Sequence, residues 1–182
     1  MFPNLPNLLT IGRLLLVPLI VRELWLRDFR LALTLVFIAG MTDAVDGFLA
    51  RHFHWTTRIG AYLDPIADKL LLVSVYVMLA VDEVVPVWLV GLVLGRDLLI
   101  LGMVGWGWFV ARVRSFPPSV WGKVSTFLQI ATALAVMSAR AFPAQIPEGA
   151  WKAGLVLLTA AAAVWSGLNY AWRGIVVLRN AS

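Results

Sequence analysis

The sequence predicts an all-α integral membrane protein with six transmembrane helices. Three observations predict this fold class. Of the 182 residues, 61% are hydrophobic and only 14% are charged, whereas an average soluble domain is about half apolar and a quarter charged. The mean hydropathy is +0.87. Six apolar runs also follow one another, each near the ~20 residues that one membrane span needs, which leaves no room for a sizeable soluble domain.

Charged or proline-containing breaks separate the six runs. The first run contains Arg13, Pro18 and Arg22, and we expect it to lie partly in the membrane interface. A basic, aromatic turn at residues 52–58 joins the second run to the third, two acidic residues close the third, and the segments PPS and FPAQIP flank the fifth. The runs cover residues 8–24, 30–51, 60–81, 85–111, 120–139 and 150–172.

The chain is predicted to form one domain over residues 1–182, because it contains no internal repeat or low-complexity linker. Residues 1–7 hold no Lys or Arg and resemble neither a secretory signal nor a transit peptide, which favours a bacterial inner membrane. With the amino terminus inside, the cytoplasmic turns hold seven Lys and Arg residues against five on the other side, so the positive-inside rule weakly favours this orientation.

The formal charge of +5 does not predict a nucleic-acid partner, because the basic residues are scattered among apolar runs. An anionic membrane surface or a phosphate-bearing substrate fits this distribution better. The chain contains no cysteine. Thiolate nucleophiles and thiolate metal sites are therefore excluded.

The ten acidic residues fall into two groups. Five lie in predicted loops or at span ends, where we expect solvated surface charges: Glu23, Asp28, Asp82, Glu83 and Glu148. The other five lie inside apolar runs: Asp43, Asp46, Asp64, Asp68 and Asp97. A charge at the centre of a membrane helix costs about 2.5 kcal/mol or more. The second group therefore needs partners or water and indicates a functional site.

Four of these carboxylates are spaced to meet at one end of the bundle. Asp43 and Asp46 are three residues apart and Asp64 and Asp68 four apart, so each pair shares a helix face, and the turn at residues 52–58 brings both pairs to the same end. Four close carboxylates repel unless cations neutralise them. An all-oxygen site selects Mg²⁺ or Mn²⁺, and two such ions would clamp a diphosphate. The alternative is a set of structural ion pairs with Arg51, Arg58 and Lys69.

The stretch around these acids is a composite motif. It reads Asp43-x-x-Asp46-Gly47-x-x-Ala50-Arg51, eight residues, Gly60-x-x-x-Asp64-x-x-x-Asp68. A glycine lets a diphosphate approach the backbone, and an arginine one turn later can bind phosphate oxygens with two nitrogens. At every fixed position the motif resembles the signature of the CDP-alcohol phosphotransferase family, and six spans in a chain of this length resemble that family too.

The resemblance implies an activity and a set of roles. A CDP-linked lipid would donate its phosphatidyl group to an alcohol and release CMP. Asp43, Asp46 and Asp64 would bind two Mg²⁺ or Mn²⁺ ions, and Asp68 would complete the metal site and act as general base on the acceptor hydroxyl. Contacts with the CDP-lipid would come from Gly47, Arg51, Thr57, Asn7 and Thr10. The family resemblance also suggests a homodimer, with the active-site cleft at the cytoplasmic membrane face.

Several segments resemble the branch of the family that makes phosphatidylglycerophosphate and cardiolipin. GRDLLI, GKVSTFLQ and NYAWRGIVVLRN resemble eukaryotic-type cardiolipin synthases more closely. Phosphatidylglycerophosphate synthases tend to have Arg-Glu in place of Arg96-Asp97 and a second lysine in place of Ser125. A glycerol phosphate acceptor carries about two charges that need fixed cations, so fewer basic groups favour phosphatidylglycerol over glycerol 3-phosphate.

Arg96 and Lys123 are the candidates for binding the acceptor phosphate. The alternatives are a structural ion pair between Arg96 and Asp97 and an interfacial anchor at Lys123. Two other protein classes also place carboxylates in membranes. A UbiA-type prenyltransferase resembles a longer bundle with two separated Asp-rich motifs, and an intramembrane cation transporter would not need the spacing of Gly47 and Arg51.

Overall fold

The described part of the chain consists of α-helices joined by turns and contains no strand. A computed structural model describes the backbone of residues 5–53, 58–109 and 119–181 and the side chains of residues 10–45, 64–103 and 119–174. The helices are α1 (Leu5–Trp25), α2 (Phe29–Phe53), α3 (Arg58–Val81), α4 (Val87–Phe109), α5 (Val120–Ala141) and α6 (Ala150–Ala181). The all-α prediction is therefore confirmed for these residues, and each predicted apolar run corresponds to one helix.

Two helices extend three or more residues beyond one end of the apolar runs that predicted them. α1 begins at Leu5, before the run that starts at residue 8, and α6 continues to Ala181, past the run that ends at residue 172. Hydropathy marks only the apolar part of a helix, whereas the backbone hydrogen bonds continue through residues such as Arg173 that favour helix equally well. The apolar runs therefore underestimate these two helices.

The helices are grouped into two compact units. Unit 1 comprises Met1–Val84 and Val136–Pro147, and unit 2 comprises Val85–Ala135 and Glu148–Ser182. In unit 1, α1 packs against both α2 and α3, and in unit 2, α4 packs against α6. The assignment of the whole chain to one domain stays a prediction.

A single buried stripe fixes the orientation of α1 in unit 1. Thr10, Arg13, Val17, Ile20 and Leu24 are all buried, and their spacing of three or four residues places them on one face of the helix. The opposite face exposes large apolar side chains. Burial of the three aliphatic residues sets the rotation of the helix, so Thr10 and Arg13 face α2 and α3.

Two turns close the end of unit 1 where α1 and α3 finish. Arg27 and Glu83 both have a positive φ, a conformation that commonly ends helices. Arg27 Nε donates a hydrogen bond to Asp82 Oδ1 at 3.1 Å and so links the two turns. The expectation of solvated charges is wrong for Glu23, which is buried beside its partner Arg22, and for Asp82, whose side chain is almost fully covered.

Large apolar side chains are exposed on every helix. Examples from α1 to α6 in order are Leu15, Phe37, Ile66, Leu98, Phe127 and Leu168. A soluble monomer rarely exposes so much contiguous apolar surface, so this distribution indicates a membrane protein. Among the described residues, Val120–Ala141 and Ala150–Gly174 are long and apolar enough to cross a membrane.

Candidate active site

Three of the predicted site carboxylates lie at one end of unit 1. Asp43 lies in the second half of α2, and Asp64 and Asp68 lie in the first half of α3. α1 begins at this same end and contributes two buried polar side chains, Thr10 and Arg13. The predicted meeting of the two acidic segments is therefore observed for these three carboxylates, and a third helix joins them.

Arg13 binds one carboxylate from each of the other two helices. Its Nη2 lies 2.8 Å from Asp43 Oδ1, and its Nη1 donates a hydrogen bond to Asp68 Oδ1 at 2.7 Å. Thr10, one turn earlier on the same face of α1, donates its hydroxyl hydrogen to Asp64 Oδ1 at 2.5 Å. α1 therefore holds all three carboxylates, each through one oxygen.

The exposure of these groups differs sharply. The Arg13 side chain is only 1% exposed, whereas those of Asp43 and Asp68 are 49% and 50% exposed. The guanidinium lies on the buried side of the cluster, and the two carboxylates reach the open side. This arrangement leaves carboxylate surface available to a ligand while a fixed cation relieves the repulsion between the acids.

Sequence reasoning did not identify Arg13 as a site residue, because it placed this arginine in the membrane interface. A signal was present in the spacing. Arg13 follows Thr10 by three residues and precedes the apolar stripe at Val17, Ile20 and Leu24 by four, so it belongs to the face of α1 that must be buried. A buried arginine needs an acidic partner, and the carboxylates of α2 and α3 were the available ones.

The donor chemistry fits a hard divalent cation. Asp43, Asp64 and Asp68 supply only oxygen ligands, which Mg²⁺ and Mn²⁺ prefer, and two of these side chains are half exposed. Among the described side chains, no three acidic or histidine residues lie close enough to hold an ion by themselves. The fourth predicted ligand, Asp46, has its side chain outside the described residues.

The predicted contacts with the CDP-lipid lie largely outside the described side chains. The backbones of Asn7, Gly47 and Arg51 belong to helices α1 and α2, but their side-chain positions are not among those described, and Thr57 lies outside the described residues altogether. Thr10 is the exception. Its hydroxyl contacts the predicted metal ligand Asp64, so its observed partner is a carboxylate.

Arg96 lies in unit 2 in a closed polar network. Its Nη1 donates to Asp97 Oδ1 at 2.6 Å. Its Nε and Nη2 donate to Ser166 Oγ at 3.2 and 2.9 Å, and Nη2 also donates to the Gly122 carbonyl at 3.3 Å. The side chains of Arg96 and Asp97 are 7% and 8% exposed. The ion pair with Asp97, the alternative role for Arg96, is present within α4, and the hydrogen bonds of Arg96 to Gly122 and Ser166 link α4 to α5 and α6.

The start of α5 completes this network. Ser119 accepts a hydrogen bond from the Gly122 N–H at 2.9 Å and so caps the helix, and its own N–H donates to the Tyr170 hydroxyl at 3.0 Å. Lys123, the other predicted acceptor ligand, is exposed on α5. Lys123 is thus open to a ligand, whereas Arg96 is enclosed.

Comparison of the sequence with known protein families gives a match over most of the chain. Residues 3–168 match the family model described as CDP-alcohol phosphatidyltransferase. The chain belongs to the CDP-alcohol phosphatidyltransferase family. The matched residues include α1 with Thr10 and Arg13 and both aspartate pairs.

The chain is similar in sequence to proteins that carry the names of two enzyme activities. It is 41% identical over 116 residues to a probable cardiolipin synthase (CMP-forming) of Drosophila melanogaster, covering 63% of this chain and 35% of the relative. It is 35% identical over 115 residues to the human cardiolipin synthase (CMP-forming), covering 63% and 37%. It is 38% identical over 135 residues to a CDP-diacylglycerol–glycerol-3-phosphate 3-phosphatidyltransferase of Rickettsia felis, covering 70% and 71%. The matched region is thus only about a third of the length of the two cardiolipin synthases.

Gly122 gives a test of the closed network in unit 2. A Cβ at this position would lie 3.1 Å from Tyr170 Cε2 and 3.2 Å from Arg96 Nη2, closer than most Cβ atoms approach their neighbours, so these side chains would have to move. We therefore expect Gly122→Ala to lower the free energy of unfolding by about 1–3 kcal/mol, measured by thermal or denaturant unfolding in detergent micelles.

Gly154 provides the matched control, because it lies in α6 with nothing within 4 Å of an added Cβ. Gly154→Ala should leave stability unchanged or raise it by up to about 1 kcal/mol through better helix propensity. Equal effects of the two substitutions would show that the network around Arg96 is not tightly packed.

Proposed function

We propose that this protein transfers a phosphatidyl group from CDP-diacylglycerol to a glycerol-type alcohol and releases CMP. The observation that carries the proposal is the cluster in which α1 holds Asp43, Asp64 and Asp68 at one end of unit 1. Membership of the CDP-alcohol phosphatidyltransferase family supports the same reaction. The three carboxylates belong to the motif that carries the resemblance, so geometry and family support one site.

The reaction is a substitution at phosphorus. The acceptor hydroxyl oxygen forms a bond to the phosphorus of the phosphatidyl group, and the bond from that phosphorus to the oxygen of CMP breaks, with the electron pair leaving on CMP. Two bound divalent ions would neutralise the diphosphate and the charge that develops on the leaving group. Asp43, Asp46, Asp64 and Asp68 are the proposed ligands of these ions.

Asp68 is the proposed general base. Its carboxylate is half exposed, and its Oδ1 is held by Arg13, so the second oxygen is the one that can accept the proton of the acceptor hydroxyl. A base held at one oxygen presents the other in a fixed direction, which is what proton transfer in the transition state requires. Gly47, Arg51, Thr57, Asn7 and Thr10 are the proposed contacts of the CDP-lipid.

Phosphatidylglycerol is the proposed acceptor, which makes the product cardiolipin. Among the cations described in unit 2, Arg96 is enclosed by Asp97 and Ser166, and the position where related synthases tend to have a second lysine is the fully buried Ser125. Exposed Lys123 is the more accessible of the two proposed ligands for the acceptor phosphate. With Arg96 enclosed, these two residues offer one accessible cation, which suits the single charge of a phosphodiester better than a phosphomonoester, which carries about two.

Glycerol 3-phosphate is the second candidate acceptor. The Rickettsia felis relative, of which the alignment covers 71%, carries the name of that activity. For either acceptor we propose six membrane-spanning helices, a homodimer, and a bacterial inner membrane with the site at the cytoplasmic face. The exposed apolar side chains on all six helices support the membrane placement.

Replacing the proposed base gives the test of the reaction. Asp68→Asn keeps the size of the side chain but removes its basicity, so we expect CMP release from CDP-diacylglycerol to fall by roughly 10²- to 10⁴-fold. The assay uses purified protein in detergent micelles with Mg²⁺ or Mn²⁺ and phosphatidylglycerol. If the wild-type protein releases no CMP with any alcohol acceptor, the proposal is contradicted. The alternative function of a cation transporter would then be favoured.

Glu148→Gln is the control for this experiment. Glu148 lies on the surface in an exposed ion pair with Lys152, which contributes little to stability. Its substitution should leave CMP release within about twofold of wild type.

The choice of acceptor needs its own measurement. We expect mass spectrometry of the lipid products to show cardiolipin when phosphatidylglycerol is supplied, and a much lower yield when glycerol 3-phosphate is supplied at equal concentration. Formation of phosphatidylglycerophosphate from glycerol 3-phosphate, with no cardiolipin from phosphatidylglycerol, would reverse the assignment while leaving the reaction class intact.

A further inference from the structure

Arg13 is the most deeply buried charged group of the cluster, and the composite motif from Asp43 to Asp68 does not contain it. It reaches two carboxylates on two different helices with two different nitrogens. One of these, Asp43, is a proposed metal ligand, and the other, Asp68, is the proposed base. The inference below rests on the proposed function and concerns how this chain keeps those two groups in place.

We propose that Arg13 is a positioning residue that anchors Asp43 and Asp68 from the buried side, so that their remaining oxygens face the open side in a fixed direction. The two nitrogens Nη1 and Nη2 are set at a fixed separation by the planar guanidinium. Nη1 donates a hydrogen bond to Asp68 Oδ1 at 2.7 Å, and Nη2 forms an ion-pair contact with Asp43 Oδ1 at 2.8 Å. The distance between the two carboxylates is therefore defined by the shape of one rigid group.

The packing of α1 fixes the position of that group. Val17, Ile20 and Leu24 are buried on the same face as Arg13, so the helix cannot rotate to release the guanidinium without exposing three aliphatic side chains. Rotation would also break the close side-chain packing of α1 against α2 and α3, which is what holds helices together in a membrane. Arg13 is thus held by the core of unit 1, and it transmits that rigidity to the two acids.

The charge of Arg13 alone does not explain the arrangement. One guanidinium and two carboxylates leave a net charge of −1, which still attracts a divalent cation. If Arg13 acted only through its charge, removing it would increase the attraction for a cation. If it acts by orienting the acids, removing it weakens cation binding although the local charge becomes more negative. The two roles therefore predict opposite signs.

The test compares Mn²⁺ binding by wild type, Arg13→Lys and Arg13→Gln in detergent micelles, with free Mn²⁺ followed by its EPR signal. Lysine keeps the charge but has no rigid pair of nitrogens. Loss of an orienting partner typically weakens metal binding by 10- to 100-fold, so we expect Kd for Mn²⁺ to rise about tenfold or more in both variants. Unchanged binding in Arg13→Lys, or tighter binding in Arg13→Gln, would overturn the proposal.

Kinetics supply a second readout, with kcat calculated per folded, Mn²⁺-binding chain so that a loss of folded protein is not counted as a lower kcat. With Mn²⁺ saturating, we expect Arg13→Lys to lower kcat at least tenfold, because Asp68 is misaligned, and to leave KM for the acceptor within about twofold. Arg22→Lys is the matched control, because Arg22 lies on the same helix with an exposed side chain. It should match wild type in Kd and kcat.

A double variant provides the test if the single Arg13 variants do not fold, because it also removes one of the two acids that Arg13 neutralises. Arg13→Gln combined with Asp68→Asn removes one charge of each sign, and its Kd for Mn²⁺ is compared with that of Asp68→Asn alone. We again expect about tenfold weaker binding, because Asp43 loses its anchor, and equal binding would contradict the inference. Wild-type protein that releases CMP while Arg13→Lys matches it throughout would refute only the role of Arg13.

Discussion

The ion pairs of Arg13 with Asp43 and Asp68 join three helices, and the candidate site depends on them. Charges in an apolar interior are costly unless they are paired and hydrogen-bonded. Here the cation is buried and the anions are half exposed, so the carboxylates keep part of their contact with the open side. Removing the guanidinium would leave two like charges close together. Each carboxylate would lose its ion-pair partner, and the repulsion between them would favour their separation.

Arg96, the second buried arginine among the described side chains, shows what a structural ion pair looks like in the same protein. Arg96 and Asp97 are both almost fully covered, and Ser166 and the Gly122 carbonyl take the other donors of the guanidinium. Little of either side chain is left accessible to a ligand. The contrast in exposure of the acids, rather than the burial of the arginine, distinguishes a candidate site from a scaffold contact.

Much of this organisation could be predicted from the sequence. Apolar runs predict six helices because burial in a low-dielectric environment requires closed backbone hydrogen bonding, and the spacing of Asp43, Asp64 and Asp68 predicts their convergence because helical faces repeat every three to four residues. The partners of these acids were not predicted. The helix ends were also missed, since polar residues extend a helix without any hydropathy signal.

The physical reason for the missed partners is that a charged residue in an apolar run has two solutions, an interfacial position or a buried ion pair. Local composition does not separate them. The sequence predicts an interfacial position for Arg13, whereas the structure shows a buried ion pair. Glu23 is likewise predicted in solvent and is buried. For Arg13, the register of the apolar stripe along α1 carried the missing information. Family membership identifies the reaction class. It does not identify the acceptor alcohol.

The most direct test of the central claim is the number of Mn²⁺ ions that the purified protein binds per chain, measured by equilibrium dialysis. The account predicts saturable binding of two ions, with at least one lost in Asp64→Asn, because Asp64 is both a proposed ligand and the partner of Thr10. Absence of saturable binding, or identical binding in Asp64→Asn, would contradict the assignment of this carboxylate cluster as a metal-dependent active site.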